Sequence, residues 1–274
     1  MNLTQNFNSI KINAGIRYGS EIAEKYKVRG YPTVIFIDKE GKEIDRIIGY
    51  APPDEYIPMV NDILDGKNTI SSLEEKLVIN PKEYNIIFKL GEKYLDKGES
   101  DISQKYFIQF LKNAPIEMSE EIISAKFALA KYRWENSDIS GLENFVIDYP
   151  EASQSISAYQ MIARYYTTEN DTVMEVATLF KMTEKFPENY SAMNSYAWRM
   201  TELNQNLNDA LVKAKVGVQL APEGSKAMIL DTQAEVEWLL GDIESAILTI
   251  EKAINLNPED EYYQAQLEKF KGNN

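Results

Sequence analysis

The sequence predicts a multidomain chain in which a small α/β segment precedes an all-α solenoid of paired helices. One observation is a ladder of prolines, whose intervals of 34, 35, 37, 35 and 36 residues indicate a repeated structural unit. Another is a pair of apolar runs of strand length between residues 31 and 48, with a turn sequence between them. The chain is 44% hydrophobic over 274 residues, enough for two parts with cores of their own. The prolines of the ladder are Pro81, Pro115, Pro150, Pro187, Pro222 and Pro258.

The N-terminal segment alternates strand and helix signals. Alternating side chains indicate a short strand, and Ser20 can cap the helix that follows. The sequence Asp-Lys-Glu-Gly at residues 38–41 suits the turn of a hairpin, and two prolines open the last helix before Gly66 closes it. In order, we expect a strand over residues 7–13, a helix over 20–26, strands over 31–37 and 42–48, and a helix over 54–64.

This order of elements, with Val-x-Gly-Tyr-Pro-Thr at residues 28–33, resembles the C-terminal part of a thioredoxin domain over roughly residues 5–66. The resemblance implies that Pro32 follows a cis peptide bond facing the family's redox centre. It also implies that Tyr31 presents backbone groups to a substrate peptide, with Thr33 as the residue that follows the proline. The family's Cys-x-x-Cys is absent, so the alternative is that Pro32 only fixes a turn and Tyr31 fills a gap.

The resemblance also raises the question of how the sheet is closed. In thioredoxin-like sheets a central strand separates the segments that correspond to residues 7–13 and 33–37, and this sequence begins after it. The apolar run of residues 33–37 would then expose unpaired backbone groups. We expect the strand at residues 7–13 to shift inward and pair with it. The alternatives are a strand from a second copy, which would give a homodimer, or from a partner.

Residues 230–258 show the repeated unit most clearly. Ala234 is the small residue of a first helix, Gly241-Asp242 forms the turn, and Ala246 and Ala253 lie on the second helix. This pattern resembles the tetratricopeptide repeat, a helix-turn-helix unit of about 34 residues. The resulting boundaries are a partial thioredoxin-like domain at residues 1–67, a linker helix at 68–80, and a solenoid of about five repeats at 81–274 that ends in a polar capping helix.

The tetratricopeptide resemblance implies that the first helices line a groove that binds a peptide or an extended segment of a partner protein. Exposed tryptophan beside arginine is typical of binding hot spots, although Trp198 and Trp238 could instead pack between helices. Two acidic groove positions disfavour a carboxylate ligand and favour a mixed or basic peptide. Counting from the small residue of each first helix, the expected groove residues are Gln160, Arg164, Asn194, Trp198, Asp231, Glu235 and Trp238.

Composition excludes several classes of activity. The chain contains no cysteine and no histidine, which removes thiol exchange, serine-histidine catalysis and the common zinc sites. We therefore predict no catalytic, cofactor-binding or metal-binding residues. The formal charge is −14, concentrated in the repeats, which disfavours nucleic acid and anionic membranes as partners. Without a leader peptide or a long apolar run, the chain as written is expected to be cytoplasmic.

These observations favour a non-catalytic protein-interaction module, a scaffold with a redox-inactive thioredoxin-like remnant. One alternative is a truncated form of an exported or periplasmic thiol-disulfide oxidoreductase whose Cys-x-x-Cys lies upstream of Met1. Another alternative makes the solenoid a purely structural spacer.

Overall fold

The computed structural model of the protein describes residues 7–272, and the chain divides into two compact units, Met1–Tyr132 and Arg133–Asn274. The division falls within one helix, α6 (Ser119–Glu135). The first unit also contains α1 (Arg17–Lys25), β1 (Thr33–Ile37), β2 (Glu43–Ile48), α2 (Pro53–Leu64), α3 (Ile70–Ile79), α4 (Tyr84–Asp96) and α5 (Ser100–Asn113). The second contains α7 (Ser140–Asp148), α8 (Ser153–Thr168), α9 (Thr172–Lys185), α10 (Tyr190–Leu203), α11 (Leu207–Leu220), α12 (Glu223–Leu239), α13 (Ile243–Leu256) and α14 (Glu261–Phe270).

The predicted hairpin is present as an antiparallel pair of strands. Thr33 lies opposite Ile48, and the register shifts by a bulge next to Ile37. Ile47 packs with Val60 and Ile63 of α2 in a small core, so the hairpin buries one face against the helix that follows it.

The strand predicted over residues 7–13 is not formed. Ile10 is 80% exposed, and the chain turns at Asn13, whose backbone oxygen lies where a Cβ on Gly19 of α1 would be. Phe7 instead packs edge-on against Phe36, with ring centroids 6.4 Å apart. Alternation creates a preference for strand, but a strand also needs a partner backbone, and these residues have none. The expected inward shift is therefore wrong, and within residues 7–272 β1 pairs with β2 alone.

A buried guanidinium joins the hairpin to the first repeat helix of the same unit. Arg46 of β2 binds both carboxylate oxygens of Glu43 at 2.7 Å and donates to the backbone oxygens of Tyr26 and Asp96 at 2.8 and 2.9 Å. The Arg46 side chain is only 2% exposed. Its positive charge lies at the C-terminus of α4, where the helix dipole favours a cation. The α/β segment is thus fixed to α4 by fully desolvated polar contacts.

Left-handed turns join the two helices of each pair. Gly98 and Gly241 take φ values of 77° and 83°, which glycine adopts without strain. Ser137 and Asn170 provide the same conformation in the second and third repeats. In the fourth repeat, Asn204 adopts it without a glycine nearby.

Small residues allow the paired helices to approach closely. In the last pair, Ala234 of α12 and Ala246, Ile250 and Ala253 of α13 are fully buried in one cluster. Tyr263, Leu267 and Phe270 of α14 close the end of that cluster. The apolar spacing on each helix therefore predicts which face it buries.

Candidate functional site

The candidate groove begins with the neighbouring faces of α8 and α10. Gln160 of α8 donates from Nε2 to the hydroxyl of Ser195 on α10 at 3.3 Å, so side chains of these two first helices meet there. Arg164 lies one turn further along α8, is exposed, and forms no ion pair within the part of the chain that the structure describes. The guanidinium is therefore free to bind an acceptor from another molecule.

The indole of Trp198 lies open on α10, with 36% of the residue exposed. One turn earlier, the buried side-chain oxygen of Asn194 has no hydrogen-bond partner among residues 7–272. The adjacent Arg199 is not available in the same way, because it binds Glu175 at 2.6 and 3.1 Å and Glu202 at 2.9 Å. Aromatic surface, an unpaired amide oxygen and a free guanidinium therefore occur together on α8 and α10.

The two acidic positions do not face an open groove. Asp231 of α12 is 5% exposed and accepts hydrogen bonds from Tyr262 at 3.2 Å and Gln266 at 3.1 Å. Both carboxylate oxygens of Glu235 accept from the ammonium of Lys269 at 2.7 Å, and Oε2 also accepts from Nε2 of Gln266 at 3.2 Å. The prediction that these carboxylates line an accessible groove is wrong, because α14 covers them.

Trp238 is covered by the same helix. The ring of Phe270 lies 5.9 Å from its own, and the ammonium of Lys269 lies 4.5 Å from its centroid, a cation–π geometry. The matching places of Trp198 and Trp238 therefore have different surroundings. The first is open and the second is packed, so the alternative of core packing applies to Trp238.

Burial controls the acid–base properties of the covered face. The pKa of Asp231 is raised by burial, and its hydrogen bonds from Gln266 and Tyr262 only partly oppose this. Burial and the nearby Asp231 carboxylate raise the pKa of Tyr262 to about 12. Desolvation disfavours the charged form of each group. Because α14 covers this face, the Asp231 carboxylate is not accessible to a ligand.

Sequence reasoning missed the residues of α14 that contact the acidic positions. The segment after Pro258 looked like a polar cap, yet Tyr263, Leu267 and Phe270 recur at spacings of four and three. That spacing indicates an apolar stripe on the helix. The stripe predicts that α14 packs against the last helix pair. That packing places Gln266 and Lys269 against α12.

Of the predicted thioredoxin-like site, Tyr31 and Pro32 lie on the loop before β1, and Thr33 is the first residue of that strand. The Tyr31–Pro32 peptide bond is cis, the geometry that the resemblance implies, and Tyr31 is 69% exposed. The backbone oxygen of Pro32 accepts from the amide of Gly49 at 2.8 Å, and the Thr33 hydroxyl donates to the backbone of Gly30 at 2.7 Å. Both contacts fix the loop. The role of Tyr31 in presenting backbone groups to a peptide stays a prediction.

Two other kinds of site were sought within residues 7–272. No group of three acidic side chains is placed to hold a metal ion there. None of the helices in that range combines the length and the apolar character that a membrane span requires.

Comparison with known families identifies the N-terminal segment. Residues 6–64 match the family model of a thioredoxin-like domain. This segment is similar to thioredoxin-like domains. The match covers a minority of the chain and leaves the helical part to structural comparison. A search among curated proteins found no similar sequence.

Several solved structures resemble the helical part. BtubC (BKLC) from P. vanneervenii gives a TM-score of 0.51 at 11% identity, covering 69% of this chain and 87% of its own. YrrB, described as a TPR protein with an unusual peptide-binding site, gives 0.49 at 10% identity, covering 72% and 97%. MamA protein gives 0.47 at 14% identity, covering 66% and 94%. The helix pairs and their left-handed turns form a tetratricopeptide-like fold.

Proposed function

We propose that the protein is an interaction module that binds an extended segment of a partner protein on the α8 and α10 face. The open indole of Trp198 carries this proposal, because large exposed aromatic surface beside a free guanidinium is typical of binding hot spots. A partner side chain packs on the indole, and partner backbone oxygens accept from Arg164.

The correction at Asp231 and Glu235 changes the expected ligand. With both carboxylates covered, the open positions are neutral or positive. The partner segment that suits them has an apolar residue next to hydrogen-bond acceptors. The wider negative charge of the repeats still attracts basic groups at a distance. A mixed-charge segment with an apolar anchor fits both conditions.

A displayed peptide library selected against the full chain tests the proposal. Selected peptides should lose at least about tenfold in affinity with Trp198→Ala or Arg164→Ala, since each removes a central contact. Tyr50→Ala, which removes an exposed aromatic ring from the other unit, is the matched control and should bind as wild type. Peptides that bind Trp198→Ala as tightly as wild type would place the binding site elsewhere.

We propose that the thioredoxin-like segment acts here through packing rather than thiol exchange. The 274 residues contain no cysteine, and exchange requires a thiolate. In an insulin-reduction assay with dithiothreitol, this chain should leave the rate at the uncatalysed background. A rate above that background would contradict the proposal.

A further inference from the structure

The second unit contains a cleft that the α8 and α10 face does not include. It has a volume of about 530 Å³ and lies between α9 and the connection from α10 to α11. Tyr196, which forms part of it, is two residues from Trp198 and therefore points to roughly the opposite side of α10. The lining residues are Thr172, Val173, Val176, Ala177, Phe180, Tyr196, Gln205, Asn206 and Asp209.

One wall of the cleft is apolar and open to solvent. Val173 is 79% exposed and Phe180 is 38% exposed, on the same helix as Val176 and Ala177. The ring of Phe180 also packs edge-on against Tyr196, with centroids 5.9 Å apart, which holds the wall in place. Exposed apolar surface along one side of a cleft is suited to the aliphatic part of a ligand.

The opposite wall carries an unpaired acidic oxygen. Oδ2 of Asp209 is buried and has no hydrogen-bond partner among the described residues. Lys213, one turn along α11, forms no ion pair with it and instead lies 5.4 Å from the centre of the Phe180 ring. A buried carboxylate oxygen without a donor is costly. Asp209 also lines the cleft, so a ligand that donates to this carboxylate would form a charge-assisted hydrogen bond.

The Asp209 carboxylate also affects the pKa of the neighbouring Tyr196 hydroxyl. The pKa of Tyr196 is raised, first by burial of the ring and then by a hydrogen bond to the Asp209 carboxylate, which leaves Oδ2 of that carboxylate without a donor. Tyr196 therefore stays protonated, and its hydroxyl adds a polar group to the acidic wall. Gln205 and Asn206 supply amide oxygens nearby, which can accept further hydrogen bonds.

We propose that this cleft binds an arginine side chain of a partner segment, with its aliphatic stem along Val176 and Phe180 and its guanidinium on Asp209. Arginine fits better than lysine because its planar head has five donors and can bind the carboxylate and an amide oxygen together. The repeats carry most of the −14 formal charge, which attracts a basic segment. This second site is independent of the proposed contact at Trp198.

Paired peptide arrays test the assignment with the full chain. Each hexapeptide with a central arginine is matched by one in which citrulline, an uncharged isostere, replaces it. A subset of arginine peptides should bind at least tenfold better than their citrulline partners. That preference should disappear with Asp209→Asn, which keeps the side-chain shape, and with Ala177→Trp, which fills the cleft without touching the carboxylate.

Trp198→Ala serves as the control, because it should leave the arginine preference unchanged even if binding on the α8 and α10 face is lost. Thermal melts check that each variant is folded. Three results would overturn the assignment: no arginine-dependent peptide at all, equal binding of citrulline peptides, or an arginine preference that survives both Asp209→Asn and Ala177→Trp. The last of these would indicate attraction to the general negative charge only.

Discussion

Nη1 of Arg46, on the second strand of the hairpin, donates to the backbone oxygen of Asp96 at the end of α4 at a distance of 2.9 Å. The two residues are 50 positions apart in the sequence. Their contact belongs to a buried set in which Arg46 also binds Glu43 in a bidentate manner.

Replacing Arg46 with Ala should destabilise the first unit strongly. Glu43 would stay buried without its partner, a change that typically costs about 3–5 kcal/mol. Replacing both residues with apolar ones, Arg46→Met with Glu43→Leu, should recover part of the loss, since no charge is then buried. Urea unfolding followed by circular dichroism measures each change.

The control for Arg46 is Arg17→Ala. Arg17 pairs with Glu21 at 3.1 Å, but the two side chains are 93% and 58% exposed, so solvent screens the pair. Arg17→Ala should therefore lower the free energy of unfolding by an amount near the limit of detection. A similar loss for Arg17→Ala and Arg46→Ala would show that the buried contacts do not hold the hairpin to α4.

Trp238→Ala should cost more stability than Trp198→Ala, by about 1–2 kcal/mol, because only Trp238 has the ring of Phe270 and the ammonium of Lys269 against it. Chemical unfolding of the two variants measures the difference. Equal losses would mean that α14 does not cover Trp238 in solution.

Asp231→Asn should reveal the raised pKa of Asp231 through the pH dependence of stability. A carboxyl whose pKa is higher in the folded state binds protons more tightly there, so wild type loses stability as pH rises between the unfolded and folded pKa values. Asparagine does not titrate. Lowering the pH from 7 towards 4 should therefore favour wild type over the variant, and a difference independent of pH would contradict this assignment.

Gly91→Ala should destabilise the first repeat by about 1–3 kcal/mol, because an added Cβ would lie 2.7 Å from the buried ring of Phe107. Gly224, in the first turn of α12, is the control, since nothing lies within 4 Å of its added Cβ. Gly224→Ala should stabilise by about 0.5–1 kcal/mol. If both substitutions stabilise, α4 and α5 are less closely packed than described.

Within residues 7–272 the outer edge of β1 has no partner strand, so its backbone amides should exchange rapidly in dilute solution. We propose that a second copy pairs with this edge at high concentration, so protection should increase with protein concentration. Val34→Lys places a charge on the exposed edge and should abolish that increase. Slow exchange that does not depend on concentration would rule out pairing between copies.

The sequence predicts local structure best where a backbone conformation requires a particular type of residue. Gly241 marked a turn that needs a left-handed residue, and the structure has that turn there. The fourth turn uses Asn204 and Asn206, which reach the same region of φ without a glycine to mark them. Asparagine is only weakly diagnostic because it also occurs at helix starts and on surfaces.

The candidate site was predicted less well than the fold. Helical spacing correctly grouped Asp231, Glu235 and Trp238 on one face of α12, but spacing does not say what packs against that face. The answer depends on α14, about 30 residues further along the chain. The failed strand at residues 7–13 has the same cause, since alternation is local and a pairing partner is not.

The buried contacts of Arg46 limit where recombination could separate the hairpin from the repeats. Recombination at the start of the proline ladder, between residues 80 and 81, would leave Arg46 on one product and the backbone oxygen of Asp96 on the other. It would also separate Asp45 from Lys93, which binds it. The hairpin product would therefore bury charged groups without their partners, whereas a break after the first helical repeat leaves these contacts intact.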